Sequence, residues 1–146
     1  MGALLEPTSE QGRERVHELM TRKPISALAS DPVSRAREIM SERRVRHVPI
    51  VDELDRVVGI LTTFDMLMFT SGRVPGHPPG QVDDSVPIRE VMAPHVDCTH
   101  QDAAIRDAAM HMLRNKRTAL PVIDDGGLLV GILTESDFVR KALREG

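Results

Sequence analysis

Two short stretches of the sequence carry residue types that could hold a small polar ligand. They are residues 59–65, Gly-Ile-Leu-Thr-Thr-Phe-Asp, and residues 131–137, Gly-Ile-Leu-Thr-Glu-Ser-Asp. In each stretch a threonine hydroxyl precedes an aspartate carboxylate by three positions. A carboxylate can accept two hydrogen bonds from the vicinal hydroxyls of a ribose, and a threonine can meet a ribose or phosphate oxygen. The spacing is therefore compatible with recognition of a phosphorylated sugar.

The same spacing has a second interpretation that involves no ligand. A threonine followed three residues later by an aspartate is close to a capping box, in which both side chains bond to N–H groups of their own helix. The spacing alone favours this capping interpretation. Both stretches are predicted to lie where a strand turns into a helix, and the free N–H groups of such a turn favour an anion.

The two stretches belong to an internal duplication with an offset of 72 residues. The offset is constant along the chain, as shown by the pairs Met20 with Met92, Met40 with Met112, Pro49 with Pro121, Gly59 with Gly131 and Asp65 with Asp137. Residues 16–65 give twelve identities in fifty pairs, where average composition gives about three. Each copy of a repeat has an apolar face that needs a neighbour, so two copies predict a pseudo-twofold pair with a shared core.

Each copy is predicted to form a helix, two strands and a second helix. Apolar residues at helical spacing mark the first helices, at Val33, Ala36, Ile39 and Met40 and again at Ile105, Ala108 and Met112. The predicted strands are 48–51, 57–61, 120–123 and 128–133, and the predicted second helices are 63–70 and 135–144. A further short strand is predicted within 25–28 and within 96–99. The fold class is therefore α/β, with two repeats that each combine a sheet of two to three strands with two helices.

Turn residues and helix starts complete this prediction. The run Asp124-Asp125-Gly126-Gly127 predicts a tight hairpin turn, and residues 52–56 a looser one. Asp31 followed by Pro32 predicts the N-cap and the first position of the first helix. Asp102 could cap the first helix of the second copy, one residue out of register.

The chain divides into a lead, two repeats and a linker. We assign residues 1–14 to an N-terminal lead, 15–70 to the first repeat, 71–86 to the linker and 87–146 to the second repeat. The linker contains three glycines and three prolines, which cannot sustain a helix or a central strand.

Composition limits the classes of function. With 146 residues, 40% of them hydrophobic, the chain can bury a core. A net charge of −3 without runs of like charge, and no Tyr or Trp for base stacking, argue against a nucleic-acid partner. Cys98 is the single cysteine, which excludes an internal disulfide and fits a reducing cytosol. Without a long apolar stretch or a signal pattern, we expect a cytoplasmic protein that does not bind a membrane.

The motifs of the common enzyme classes are missing from the sequence. It has no Gly-x-Ser-x-Gly elbow, no Walker loop and no dinucleotide glycine fingerprint, so we predict no catalytic residues. The six histidines show no zinc-ligand spacing, and His95 with His100 is a weak pair. We therefore expect neither a metal nor a required cofactor.

Each copy resembles a CBS domain. The resemblance rests on an early methionine, an alanine and a methionine on the first helix, the stretch from His47 to Asp52, and the pattern Gly-Ile-x-Thr-x-x-Asp. It covers about residues 16–70 and 88–144. Paired domains of that family form a Bateman module with two clefts related by pseudo-twofold symmetry. Many of them bind AMP, ADP, ATP, NAD or S-adenosylmethionine, so the resemblance implies an adenosine-containing ligand.

The resemblance also implies a role for particular residues of each copy. Asp65 and Asp137 would contact the ribose hydroxyls. Thr62 and Thr134 would lie near the ribose or a phosphate, and the backbone around Ile60 and Ile132 would line the adenine. The backbone of residues 25–27 and 96–98 would also face the base.

The two copies differ where the phosphates of a ligand would lie. Relatives that prefer phosphorylated adenosine have basic residues at the places of Arg46 and His47, whereas the second copy has two uncharged residues there. Arg46 could equally be a solvated surface arginine, and His47 an ordinary strand histidine. Ser136 adds a hydroxyl where the first copy has Phe64, so the second copy suits the ribose better while the first offers more charge. We therefore expect one productive site more readily than two.

These features predict a regulatory CBS pair that senses an adenosine nucleotide and acts on itself or on an effector protein. Family relatives commonly form dimers, so a homodimer is expected. The alternative is a dimeric scaffold or stress protein whose clefts are empty.

Overall fold

The computed structural model describes residues 14–80, 82–93 and 95–145. The helices of this part are α1 (Val16–Leu19), α2 (Val33–Arg43), α3 (Thr63–Thr70), α4 (Ile105–Asn115) and α5 (Glu135–Glu145), with a 3-10 turn at Ile88–Glu90. The strands are β1 (Thr21–Arg22), β2 (Ala27–Leu28), β3 (His47–Val51), β4 (Val57–Thr62), β5 (Thr99–His100), β6 (Ala119–Ile123) and β7 (Leu129–Thr134). The predicted α/β class with two repeats is confirmed. The predicted N-terminal lead lies outside the described residues apart from Glu14.

Two small sheets repeat the same strand arrangement. β3 pairs antiparallel with β4 and parallel with β2, and β6 pairs antiparallel with β7 and parallel with β5. In the second sheet, β1 adds a further strand antiparallel to β7. β2, α2, β3 and β4 begin 72 residues before β5, α4, β6 and β7. The structure therefore follows the offset found in the sequence.

The chain folds into two compact units whose extents differ from those of the sequence copies. One unit spans Pro24–Val96, and the other combines the described residues from Glu14 to Lys23 with those from Asp97 to Glu145. Met92 packs against Gly59 in the first of these units, and Met20 packs against Gly131 in the second. Each copy therefore contributes its first segment to the unit that holds the rest of the other copy.

This exchange of segments explains how the first helices begin. The N–H of Val33 donates to the carbonyl of Val86 at 2.8 Å, and the N–H of Ile105 donates to the carbonyl of Glu14 at 3.0 Å. Backbone oxygens of the residues that directly precede the exchanged segments thus satisfy N–H groups that a capping side chain would otherwise bind.

The predicted caps of these helices are wrong for the same reason. Pro32 is the N-cap of α2 rather than its first residue, and Ala104, not Asp102, is the N-cap of α4. The Asp31 carboxylate instead accepts the N–H of Leu28 at 2.9 Å.

The short strands and the hairpin turns differ in detail from the prediction. β2 and β5 are two residues long, because only those residues pair with the ends of β3 and β6. The two hairpin turns are alike, rather than one tight and one loose. The Asp52 carboxylate accepts the N–H groups of Leu54 and Arg56, and the Asp124 carboxylate accepts those of Gly126 and Leu128.

The predicted apolar stripes form the cores. Val33, Ala36 and Ile39 of α2 are buried in one unit, and Ile105, Ala108 and Met112 of α4 are buried in the other. Each core packs α2 or α4 against its sheet, and this packing sets the position of the strand-to-helix turn at the end of β4 or β7.

Candidate functional site

Thr62 and Asp65 meet where β4 turns into α3. The N–H and the hydroxyl of Thr62 both donate to Asp65 Oδ2, at 2.8 and 3.0 Å, and the N–H of Asp65 donates to Thr62 Oγ1 at 3.1 Å. The capping box that the spacing predicts is therefore present. Within the described residues, these bonds to the carboxylate all use Oδ2. Because Oδ1 is not needed for capping, the capping and ligand-binding interpretations of Asp65 are compatible.

The equivalent turn between β7 and α5 holds its carboxylate more completely. The N–H and the hydroxyl of Thr134 donate to Asp137 Oδ2 at 2.8 and 3.3 Å, as in the first copy. Here Oδ1 also has partners, because Thr21 Oγ1 lies 3.4 Å away and Arg140 Nη2 donates to the same oxygen. Asp137 is only 2% exposed, whereas Asp65 is half-buried. The two copies therefore present their aspartates differently.

Arg46 and His47 lie beside Thr62. His47 opposes Thr62 across the β3–β4 pair, and the N–H of Thr63 donates to the Arg46 carbonyl at 3.0 Å. The Arg46 residue is exposed and His47 is half-buried. The structure thus brings the backbone of Arg46 and His47 next to the turn that holds the Thr62–Asp65 pair.

The second copy has no equivalent cation at this place in the described structure. Ala119 opposes Thr134, and the N–H of Glu135 donates to the Thr118 carbonyl at 3.2 Å. The nearby Arg117 is engaged elsewhere, since its Nε donates to Asp97 Oδ2 at 2.8 Å. At the position of Arg46 the second copy therefore has Thr118 in place of a cation.

The remaining predicted residues occupy strand and helix positions around these turns. Ile60 is half-buried and opposes Pro49, whereas Ile132 is buried between Pro121 of β6 and Thr21 of β1. Ser136 is exposed on the first turn of α5. The sequence did not indicate Thr21 as a neighbour of Asp137, because 116 residues separate the two and only the β1–β7 pairing brings them together.

Cys98 lies half-buried on the segment that was expected to face a base. Burial raises the pKa of the Cys98 thiol, and the negative charge of Asp97 raises it further. The thiol is therefore protonated at neutral pH, and a thiol is a much weaker nucleophile than a thiolate.

A concave surface of about 480 Å³ lies at the other end of β3, away from Arg46 and Thr62. Its lining comes from β2, α2 and the β3–β4 turn: Ser26, Ala27, Leu28, Asp31, Arg35, Val51, Asp52, Glu53 and Asp55. Asp31 and Asp52 already accept backbone N–H groups there. We therefore assign these two carboxylates to loop structure rather than to a ligand.

The described residues contain no group of three or more His, Cys, Asp or Glu side chains placed to hold a metal ion. None of their helices has the length and apolar character needed to cross a membrane.

Comparison with known proteins places the two copies in one family. The model of the CBS domain matches residues 16–72 and again residues 88–144, which together make up most of the chain. The chain belongs to the CBS domain family. Its expected resemblance to a tandem CBS protein is confirmed, and both candidate turns lie within the matched CBS domains.

Solved structures of CBS pairs have a similar fold. The CBS domain pair of protein MJ0100, solved with 5′-methylthioadenosine and S-adenosyl-L-methionine, is 26% identical, with a TM-score of 0.78 over 91% of this chain and 98% of that one. The structure of CBSX2 with AMP is 28% identical, with a TM-score of 0.75 over 90% of this chain and 97% of that one.

Curated relatives include longer proteins. L-aspartate semialdehyde sulfurtransferase of Methanocaldococcus jannaschii is 28% identical over 125 residues, which are 86% of this chain and 22% of the relative. Across several such relatives, this CBS pair spans between 21% and 28% of their length.

Proposed function

We propose that this CBS pair is a regulatory module that binds an adenosine-containing ligand. The observation that carries the proposal is the turn at Asp65, where a carboxylate oxygen is not used for capping and Arg46 and His47 are the adjacent residues on the neighbouring strand. Adenosine is common to the ligands of the two related pairs, AMP in one and S-adenosylmethionine with methylthioadenosine in the other. The same chemistry would suit AMP, ADP, ATP or NAD.

In this proposal, Asp65 Oδ1 accepts hydrogen bonds from the ribose hydroxyls, and Thr62 lies near the ribose or a phosphate. The backbone around Ile60 lines the adenine, and Arg46 and His47 face the phosphates. Arg46 is suited to this role because a guanidinium binds phosphate oxygens in a bidentate manner.

The second copy offers the same parts with less charge. Asp137, Thr134, Ser136 and the backbone around Ile132 would take the equivalent places. Both oxygens of Asp137 already have partners, and Thr118 stands where the first copy has Arg46. The first copy is therefore the stronger candidate for the productive site.

The experiment is a melting-temperature screen with AMP, ADP, ATP, NAD and S-adenosylmethionine. A ligand at one hundred times its dissociation constant should add about 2.7 kcal/mol to the free energy of unfolding. Asp65→Ala should remove most of that gain and Asp137→Ala should remove less. Arg46→Ala should weaken AMP more than adenosine, since only AMP carries a phosphate. If none of the five ligands raises the melting temperature, the module is not an adenosine sensor.

We also propose that the chain forms a homodimer through apolar faces of α3 and α5. Phe64 and Leu67 on α3 are 64% and 61% exposed, and Val139 and Leu143 on α5 are 57% and 77% exposed. Leu67 and Val139 occupy the same position in the two copies. Large apolar side chains grouped on one helix face are typical of an interaction surface.

Sedimentation velocity tests the dimer. Leu67→Glu and Val139→Glu should each shift the wild-type dimer toward monomer, whereas Leu113→Glu, on the exposed face of α4, is the matched control and should not. A dimer that binds none of the five ligands would favour the scaffold alternative. A monomeric wild type would exclude this interface.

A regulatory pair must act on itself or on another protein, since a ligand shifts an equilibrium only by its differential affinity for the two states. Our proposal contains no catalytic step and no required cofactor or metal. It places the protein in the cytoplasm, where the free thiol of Cys98 would stay reduced.

A further inference from the structure

The carboxylate of Asp137 is held by partners that have no counterpart in the first copy. Arg140 stands three residues after Asp137 on α5, and Thr21 reaches the same Oδ1 oxygen from β1. The positions related by the offset of 72 are Met68 and Ala93. Neither methionine nor alanine has a side-chain hydrogen-bond donor. The difference between the two aspartates is therefore caused by two residues outside the shared Gly-Ile-Leu-Thr-x-x-Asp pattern.

These two donors occupy the oxygen that the first copy leaves available. A ribose bound at Asp137 would have to donate to Oδ1 in place of Arg140 and Thr21, or share that oxygen with them. The Arg140 side chain is 59% exposed, so water can replace the carboxylate as its partner. A ribose hydroxyl can therefore replace Arg140 at Asp137 Oδ1. Because an existing bond is lost in the replacement, the net gain in free energy from each ribose hydrogen bond is smaller.

We infer that Arg140 and Thr21 make the second site the weaker one, so that a ribose-containing ligand fills the Asp65 site first. The inference rests on the proposed adenosine-binding function. It identifies Arg140 and Thr21 as specificity-determining residues that act by engaging Asp137 Oδ1 before any ligand arrives. Such a module has a high-affinity site at Asp65 and a low-affinity site at Asp137, so the two sites fill over different ranges of ligand concentration.

The size of the effect follows from the kind of contact. The Arg140–Asp137 ion pair is part-buried, with a buried carboxylate and a largely exposed arginine, and the Thr21 hydroxyl contact is long at 3.4 Å. Exposure of the arginine to water keeps the contribution of the pair modest. Removing both donors should therefore tighten the second site by about tenfold in dissociation constant. The first site should keep its affinity, because its own carboxylate carries neither donor.

The test is isothermal titration with AMP and, separately, with adenosine. Wild type should show one tight equivalent per chain and a second at least about tenfold weaker. Arg140→Met and Thr21→Ala copy the residues of the first site, and each should strengthen the second equivalent and leave the first unchanged. Met68→Arg makes the reverse change and should weaken the first equivalent. Circular dichroism and a melting curve for each variant show that it is folded.

Asp65→Ala combined with Arg140→Met isolates the second site. This double variant should bind one equivalent, and more tightly than Asp65→Ala alone. If Arg140→Met instead weakens the second equivalent for AMP but not for adenosine, Arg140 binds the phosphate and the inference is overturned. Equal affinity of the two wild-type sites, or no effect of Arg140→Met and Thr21→Ala, also overturns it while the proposed function stands. If neither wild type nor the variants bind AMP or adenosine, the proposed function itself fails.

Discussion

At the scale of single residues, Gly59 and Gly131 occupy the same repeat position but have different neighbours. A Cβ at Gly59 would lie 2.5 Å from the Met92 sulfur, at the end of a flexible side chain. A Cβ at Gly131 would meet the Met20 sulfur and would also lie 2.9 Å from the backbone oxygen of Thr21. A methionine side chain can move aside, whereas the Thr21 oxygen is tied to the paired strand β1.

Gly131→Ala should therefore destabilise the protein more than Gly59→Ala. We expect a loss of about 2–3 kcal/mol in the free energy of unfolding for Gly131→Ala, and of about 1 kcal/mol for Gly59→Ala. Urea denaturation of the two variants measures both values, and each variant is the other's control. Equal losses would mean that β1 does not constrain position 131.

Asp97 gives the stability a dependence on acid pH. A hydrogen bond from Arg117 lowers the pKa of the Asp97 carboxyl, with His111 adding to the effect. The unfolded chain, with an ordinary value of about 3.9, therefore takes up this proton at higher pH than the folded protein does. The stabilisation is complete above that ordinary value and is lost as the pH falls through the lower pKa of the folded state.

Asp97→Asn should remove this part of the acid sensitivity. We expect a loss at neutral pH of no more than about 1 kcal/mol, since the Arg117 side chain is partly exposed. Below the pKa of the folded state, the gap between wild type and variant should close. Melting curves from neutral pH down to acid pH measure it, and a gap that stays constant would show that Asp97 contributes nothing through its charge.

At the scale of elements, the linker has a folded form of its own around Gly72. Gly72 has φ +74° and packs directly against the ring of Pro79. The rings of His77 and Phe69 meet edge to face, with their centroids 5.4 Å apart. Gly80 has a similar φ of +81°, but a Cβ there would meet open space. A substitution at Gly80 therefore introduces backbone strain alone, whereas a substitution at Gly72 introduces the same strain together with a steric overlap.

Gly72→Ala should cost clearly more stability than Gly80→Ala. The left-handed backbone alone should cost about 1 kcal/mol at either position. At Gly72 the overlap with Pro79 should raise the loss to about 3 kcal/mol, or force the linker to open. Thermal unfolding of both variants is the measurement. Equal melting temperatures would mean that the 72–79 loop is not closed in solution.

Elements were predictable from the sequence where the information is local. The stripes on α2 and α4 and the apolar runs of β3, β4, β6 and β7 lie where periodicity predicts them. The starts of α2 and α4 were not predictable, because carbonyls of Val86 and Glu14 far along the chain satisfy their N–H groups. The site shows the same limit. The Thr62–Asp65 pair is a local pattern, whereas the contact of Thr21 with Asp137 depends on a strand pairing across the chain.

At the scale of the whole molecule, the spatial units and the sequence copies have different boundaries along the chain. The unit Pro24–Val96 takes Ile88, Val91 and Met92 from the start of the second copy into its core. It also takes the carbonyls of Asp84 and Val86, which accept the N–H groups of Ser34 and Val33 at 2.9 and 2.8 Å. Residues 15–70, the first sequence copy, lack all of these groups.

A fragment comparison tests which division is the folding unit. The fragment 24–96 contains one complete unit and should unfold cooperatively on heating, although at this length its core is only just sufficient. The equally long fragment 10–82 contains the whole first copy but lacks Ile88 and Val91, whose burial is each worth about 1.5–3 kcal/mol. We expect it to show no cooperative transition. Circular dichroism melting curves of the two fragments at equal concentration are the measurement. If 10–82 melts as sharply as 24–96, the exchanged segment is dispensable, and the copies rather than the spatial units are the folding units.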